Sequence, residues 1–137
     1  GELTNALIGE LMLSFAITRG VAGFVINGSV RDREAFLQHN LPVYAAGVTH
    51  RGPYKDGPGE INVPIAIDGM VVDPGDLVLG DSDGVLAVPF DDLEQVCTAA
   101  EAKLAAENEQ MADIAARTSD RSWVDAALKR LGCEMPE

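Results

Sequence analysis

An arginine and an aspartate, Arg31-Asp32, stand side by side in "VAGFVINGSVRDREAF", where an apolar run from Val21 ends in Asn27-Gly28. A single carboxylate backed by waters is an ordinary way to hold Mg²⁺, which takes oxygen ligands and keeps part of its hydration shell. A guanidinium beside it grips a carboxylate or an oxyanion in forked geometry. A 2-oxo acid uses both, because its carboxylate and carbonyl chelate a metal and its enolate form wants a nearby cation. The plainer alternative is an Asp at a helix N-terminus and an Arg on the surface, and pattern alone favours it.

Other candidates carry less. Glu10 lies in "GELM", Gly9 to Met12. If a helix starts there, its free N–H groups form an anion site; otherwise Glu10 is a polar residue on a wet helix face. Asp81 and Asp83 of "GDSDG" resemble part of a calcium loop but lack the remaining ligands, so a hairpin turn is expected. His39 and His50 are isolated and read as surface residues. Glu107 by itself is one more charge on a helix. Phosphate loops, dinucleotide glycine fingerprints, nucleophile elbows and zincin helices are absent from the sequence.

The elements that must position these residues follow from periodicity. Leu3, Leu7, Leu11, Phe15 and Thr18 recur at helical spacing up to Gly20. Gly9 interrupts them at a cost of about 1 kcal/mol in a helix interior, so the helix begins either near Leu3 or near Gly9. Val21 to Ile26 reads as a buried strand and Asp32 to His39 as a short helix with Asp32 at its N-terminus. Leu41 to Val48 is a second strand, followed by the long loop Thr49 to Glu60. "INVPIAI" and "MVV" flank a hairpin signal at Asp68-Gly69. "LVLGD" and "VLAVP" form another strand pair. From Asp91 or Asp92 a long helix starts, with Leu93, Val96, Ala100, Leu104, Met111 and Ile114 on one face. "SWVDAALKRLG" reads as a short helix capped by Ser122 and ended by Gly132. The sum is one domain of mixed α/β type.

Bulk properties narrow the function classes. With 47% hydrophobic and 23% charged residues over 137 positions, the chain is globular and long enough for a real core. Its net charge of −12 argues against nucleic acid and against anionic membranes as partners. Cys97 falls in a helical pattern and is expected in the core, while Cys133 lies in the tail; neither has metal-ligand spacing. With no signal peptide and no spanning run, a reducing, cytoplasmic setting is expected. The chain opens without Met inside an organised pattern, which reads as a fragment, a processed product or a trimmed chain.

Taken in order, "GELM", "RGVAGFVINGSVRD", "GPGEINVPI" and "VVDPGDLVLGDSDGVLAVP" resemble the RraA-like family. That family includes 4-hydroxy-4-methyl-2-oxoglutarate / 4-carboxy-4-hydroxy-2-oxoadipate aldolases and proteins named as regulators of ribonuclease activity. The tail "SWVDAALKRLGCE" is also similar to members of the group. The resemblance implies an α/β fold, a swivelling β/β/α-type domain with a C-terminal helical extension, over residues 1–137 and without the family's N-terminal region. It implies homotrimers or hexamers with sites between subunits.

The resemblance also implies chemistry: a divalent-metal-dependent class II aldolase that cleaves a 4-hydroxy-2-oxo acid to pyruvate and an oxo acid, with oxaloacetate decarboxylation as a side activity. Asp32 then matches the ligand of Mg²⁺ or Mn²⁺, and Arg31 the residue that stabilises the enolate. Gly9, Glu10, Leu11 and Met12 match the segment whose amides bind the substrate carboxylate. Glu10 matches the acid that orients a catalytic water, and its distance of 21 positions from Arg31 suits the family's arrangement. Glu107 matches a Glu supplied by a neighbouring subunit, with Glu109 close by in register. A non-enzymatic regulator that binds a ribonuclease is the alternative. The loop with His50, Arg51 and Lys55 is where a different 2-oxo acid would be selected.

Overall fold

Gly9 divides the first eighteen residues into a strand and a helix. In the computed structural model, which describes residues 1–133, β1 spans Glu2–Ile8 and α1 spans Glu10–Thr18. The helical reading from Leu3 therefore gives way to the later start. Leu3 and Leu7 match a helical period but are exposed, whereas Ala6 between them is fully buried. Glu134 of the tail motif lies outside the described residues.

The chain divides into two compact units, 1–90 and 91–137. The first is built on a parallel sheet of three strands in the order β1-β2-β3, where β2 is Phe24–Val30 and β3 is Val43–Val48. Parallel neighbours need a crossover, and α1 and α2 (Arg33–His39) supply the two. β2 runs further than expected, to Val30. Ser29 and Val30 pair with Ala6 and Ile8 on one side and with Gly47 and Val48 on the other, with register shifts after Ile26 toward β3 and at Glu2/Ala6 and Ala6/Ile8 toward β1. The strand thus ends immediately before Arg31.

Leu13 of α1, Val30, and Ala35 and Phe36 of α2 form the buried cluster, with Ile8, Phe24, Ile26, Leu41 and Val43 packed around it. This core clamps both helices onto one sheet face. α1 stops at Gly20, whose φ of 72° permits the paired closing bonds Val21 N–H to Ala16 O (3.1 Å) and Gly20 N–H to Ile17 O (3.1 Å).

Two hairpins complete the first unit. β4 (Ile65–Ile67) and β5 (Met70–Val72) turn through Asp68-Gly69, both at positive φ, as the expected two-residue turn requires. β4 is shorter than "INVPIAI" because Asn62 has φ 63° and Pro64 lacks an N–H. β6 (Leu77–Gly80) pairs with β7 (Val85–Val88). Asp81 Oδ1 accepts the Asp83 and Gly84 N–H groups at 2.8 and 3.3 Å, so that carboxylate builds the turn, as expected.

The second unit holds α3 (Leu93–Ala116) and α4 (Ser122–Arg130). Two expectations fail here. Cys97 is exposed, since no residue of α3 is buried within the chain. Ser122 does not cap α4; its N–H donates to Asp120 Oδ1 at 2.8 Å, which also holds the Asp120 carboxyl below its ordinary range. Gly132 ends α4 as expected, with Cys133 N–H on Leu128 O and Gly132 N–H on Lys129 O.

Candidate functional site at the strand ends

Because β1, β2 and β3 are parallel, their C-terminal ends fall along one edge of the sheet, where open α/β sheets bind ligands. Three segments leave there: Gly9 into α1, Arg31-Asp32 into α2, and Thr49 into the long loop. Backbone bonds continue past the strands. Arg31 N–H donates to Ile8 O at 3.0 Å, and Thr49 N–H donates to Val30 O at 2.9 Å.

Asp32 adopts the left-handed conformation, φ 58° and ψ 41°. That conformation disfavours most L-residues but is tolerated by Asp, Asn and Gly. The expectation that Asp32 caps its own helix holds for position but not for the carboxylate. The backbone carbonyl of Asp32 starts α2 by accepting Ala35 N–H at 2.9 Å, while Oδ2 accepts Glu10 N–H at 3.0 Å, at the start of α1. The left-handed twist turns the side chain back across the sheet edge. Oδ1 takes no hydrogen bond among the described residues.

Arg31 Nε lies 3.4 Å from Asp32 Oδ2, and both side chains are more than one third exposed. Solvent screening leaves such a pair little net stabilisation. The Nε atom itself is screened from solvent and has no hydrogen-bond acceptor among the described residues. Gly9 is the floor beneath the pair. A Cβ there would come within 2.5 Å of Asp32 Oδ2 and 2.8 Å of Arg31 Cγ and Nε. Only a residue without a side chain lets both groups reach the start of α1.

Leu13 N–H makes the first bond of α1, to Gly9 O at 3.0 Å. Leu11 and Met12 precede it, so their N–H groups lie at the open, electropositive end of the helix. Their side chains are exposed, as is Glu10. Gly9, Glu10, Leu11, Met12, Arg31 and Asp32 are therefore gathered at one edge. Glu107 belongs to the second unit, on α3, and pairs with Lys103 at 3.4 Å one turn earlier. His39 and His50 are exposed, as expected.

An apolar cleft of about 630 Å³ in the first unit is lined by residues such as Phe24, Tyr44, Ile65, Met70 and Val78; neither Arg31 nor Asp32 borders it. Among the described residues no cluster of three or more His, Cys, Asp or Glu could enclose a metal.

Asn5 and Gly52 join the site without any motif of their own. Asn5 Nδ2 donates to Gly52 O at 2.7 Å, and a Cβ on Gly52 would stand 3.3 Å from Arg31 Nη1. The one signal for them in the sequence is topological, since the chain after a third parallel strand must emerge at the same edge.

The profile of the RraA-like family, described as Aldolase/RraA, matches residues 1–87. A Halalkalibacterium halodurans protein, named provisionally as a 4-hydroxy-4-methyl-2-oxoglutarate aldolase, is 42% identical over 105 residues, 77% of this chain and 50% of its own length. The structure of the RNA-processing inhibitor RraA from Thermus thermophilus superposes with a TM-score of 0.62 at 37% identity, covering 65% of this chain and 54% of that one. An uncharacterized protein from Pseudomonas syringae gives a TM-score of 0.77 at 28% identity, covering 84% and 58%. The chain spans about half the length of the curated relatives it matches.

Proposed function

The chain belongs to the RraA-like family, and from that premise we propose that it serves a divalent-metal-dependent class II aldolase, cleaving a 4-hydroxy-2-oxo acid to pyruvate and an oxo acid. The observation that carries this reading is the placement of Asp32 and Arg31 over Gly9. One carboxylate oxygen is tied to the start of α1, the other is unengaged, and a screened guanidinium N–H has no acceptor among the described residues. The Arg31 side chain is about one third exposed beyond that atom, which leaves the outer part of its fork open to an anionic ligand.

Asp32, with its unengaged Oδ1, would be the residue to hold Mg²⁺ or Mn²⁺, hard cations that take oxygen ligands. When bound, such an ion supplies Lewis acidity to the 2-oxo group. The chain's own residues supply the rest. The N–H groups of Leu11 and Met12 bind the substrate carboxylate at the positive end of α1. Glu10, through a water, accepts the proton of the C4 hydroxyl. The C3–C4 bond then breaks, its electron pair passing to C3 to give the enolate of pyruvate, and the C4 oxygen becomes the carbonyl of the second product. Arg31 balances the enolate oxygen. Protonation at C3 releases pyruvate. Oxaloacetate enters the same enolate by losing CO₂, a side activity of this site. Glu107 serves the site of a neighbouring subunit in a trimer or hexamer. Among the described residues no helix is long and apolar enough to cross a membrane.

A second reading is a regulator that binds a ribonuclease. It draws on the RNA-processing inhibitor among the similar structures and on the net charge of −12, which suits a basic protein surface. The two readings part at Asp32. Purified protein is expected to release pyruvate from oxaloacetate or a 4-hydroxy-2-oxo acid with Mg²⁺ or Mn²⁺. The release should stop with EDTA and in Asp32→Asn. Activity that survives either treatment overturns the metal-dependent reading.

A further inference from the structure

The segment that follows β3 is strapped to β1 across the end of β2. Thr49 Oγ1 donates to Thr4 O at 3.2 Å, Ala6 N–H donates to Arg51 O at 2.9 Å, and Asn5 Nδ2 donates to Gly52 O at 2.7 Å. Together with the Thr49 N–H bond to Val30 O, these fix residues 49–52 directly beside Arg31. The guanidinium then lies between two glycines. A Cβ on Gly9 would meet Nε at 2.8 Å, and a Cβ on Gly52 would meet Nη1 at 3.3 Å.

We propose that Asn5 and Gly52 are positioning residues for Arg31. The Asn5 amide sets the height of the strap by holding the Gly52 carbonyl, and the missing side chain of Gly52 leaves room for Nη1. The inference rests on the reading of Arg31 as the cation that faces the enolate oxygen. A free Arg samples many rotamers, whereas a guanidinium flanked by the Gly9 and Gly52 backbones has fewer directions open to its fork. Gly52 is exposed and its obstacle is the far end of a flexible side chain. A methyl group there therefore moves the guanidinium without disturbing the fold. Misplacing a catalytic group by about 1 Å can cost on the order of 100-fold in rate.

The test uses the purified protein with Mg²⁺, oxaloacetate turnover, and calorimetric binding of oxalate, a dianion shaped like the enolate of pyruvate. Gly52→Ala, which pushes Nη1 by a few tenths of an ångström, and Asn5→Asp, which removes the amide donor while keeping its shape, are each expected to lower kcat several-fold, with KM changing far less. Oxalate should bind at least several-fold more weakly, and the melting temperature of Gly52→Ala should stay near that of the parent. In an Arg31→Lys background, which has no Nη1, Gly52→Ala should add almost nothing. If Gly52→Ala and Asn5→Asp keep full kcat and oxalate affinity while Arg31→Lys loses both, the positioning role is overturned and the functional reading stands. A Gly52→Ala cost that is undiminished in the Arg31→Lys background overturns the positioning role as well. If Arg31→Lys is itself without effect, the functional reading fails and the positioning role with it.

Discussion

Asp32 Oδ2 receives the backbone N–H of Glu10 at 3.0 Å, so a residue at the start of α2 caps the start of α1. That bond links the exits of two neighbouring parallel strands. It also pre-orients the carboxylate, because with Oδ2 held, Oδ1 is the free oxygen.

Asp32→Asn and Asp32→Ala should therefore part company in stability while agreeing in activity. Asn keeps the left-handed backbone and an acceptor for Glu10 N–H. Ala loses the cap, roughly 0.5–2 kcal/mol, and adds a left-handed cost of about 1 kcal/mol. Urea midpoints should fall clearly for Ala and slightly for Asn, and pyruvate release should be abolished in both. Equal midpoints would remove the capping role.

Gly9→Ala should damage function more than fold. Its φ of −149° suits any residue, but the new Cβ would sit 2.5 Å from Asp32 Oδ2. Both candidate side chains, Arg31 and Asp32, must move, and kcat should drop on the order of 100-fold. A variant with parental kinetics would show that neither side chain needs its present seat.

Leu13 is fully buried between the sheet and α2, whereas Leu11 is 83% exposed. Leu13→Ala should cost roughly 2–5 kcal/mol and Leu11→Ala less than about 0.5 kcal/mol, read by chemical denaturation. Similar costs would contradict the way α1 is seated.

Glu2 accepts the Asn5 and Thr4 N–H groups, bonds that hold its carboxyl below the ordinary range. A lowered folded-state value means stability that is present above the ordinary carboxylate range and lost as pH falls through the lowered value. Melting curves of the parent and Glu2→Gln should differ at neutral pH and converge in acid. A difference that widens in acid would reverse the assignment.

Glu107 and Lys103 form an exposed pair one helical turn apart, a geometry worth about 0.3–0.5 kcal/mol. Glu107→Gln should barely move the melting temperature. A tenfold or larger loss of kcat in the assembled protein would then mark a role in a site. Unchanged kcat would remove Glu107 from the machinery.

What is legible in the sequence depends on how local the physics is. "GELM" and "VRD" are readable because each combines an apolar strand, a break and a helix start within a few residues. β1 imitates a helix because Leu3, Leu7 and Leu11 recur every fourth position, a spacing that a strand with exposed leucines also permits. Cys97 departs from expectation because periodicity tells which side of a helix is apolar and not what covers it. Asn5 and Gly52 touch across 47 positions, a contact created by parallel pairing alone. The direction of the Asp32 side chain follows from a backbone twist that no pattern encodes.

The left-handed backbone at position 32 has a consequence for descent. Residues that sit easily there are Asp, Asn and Gly. A single base change in the codon converts Asp into either of the others. The acid can therefore leave this fold, or return to it, in one mutational step with the chain path preserved.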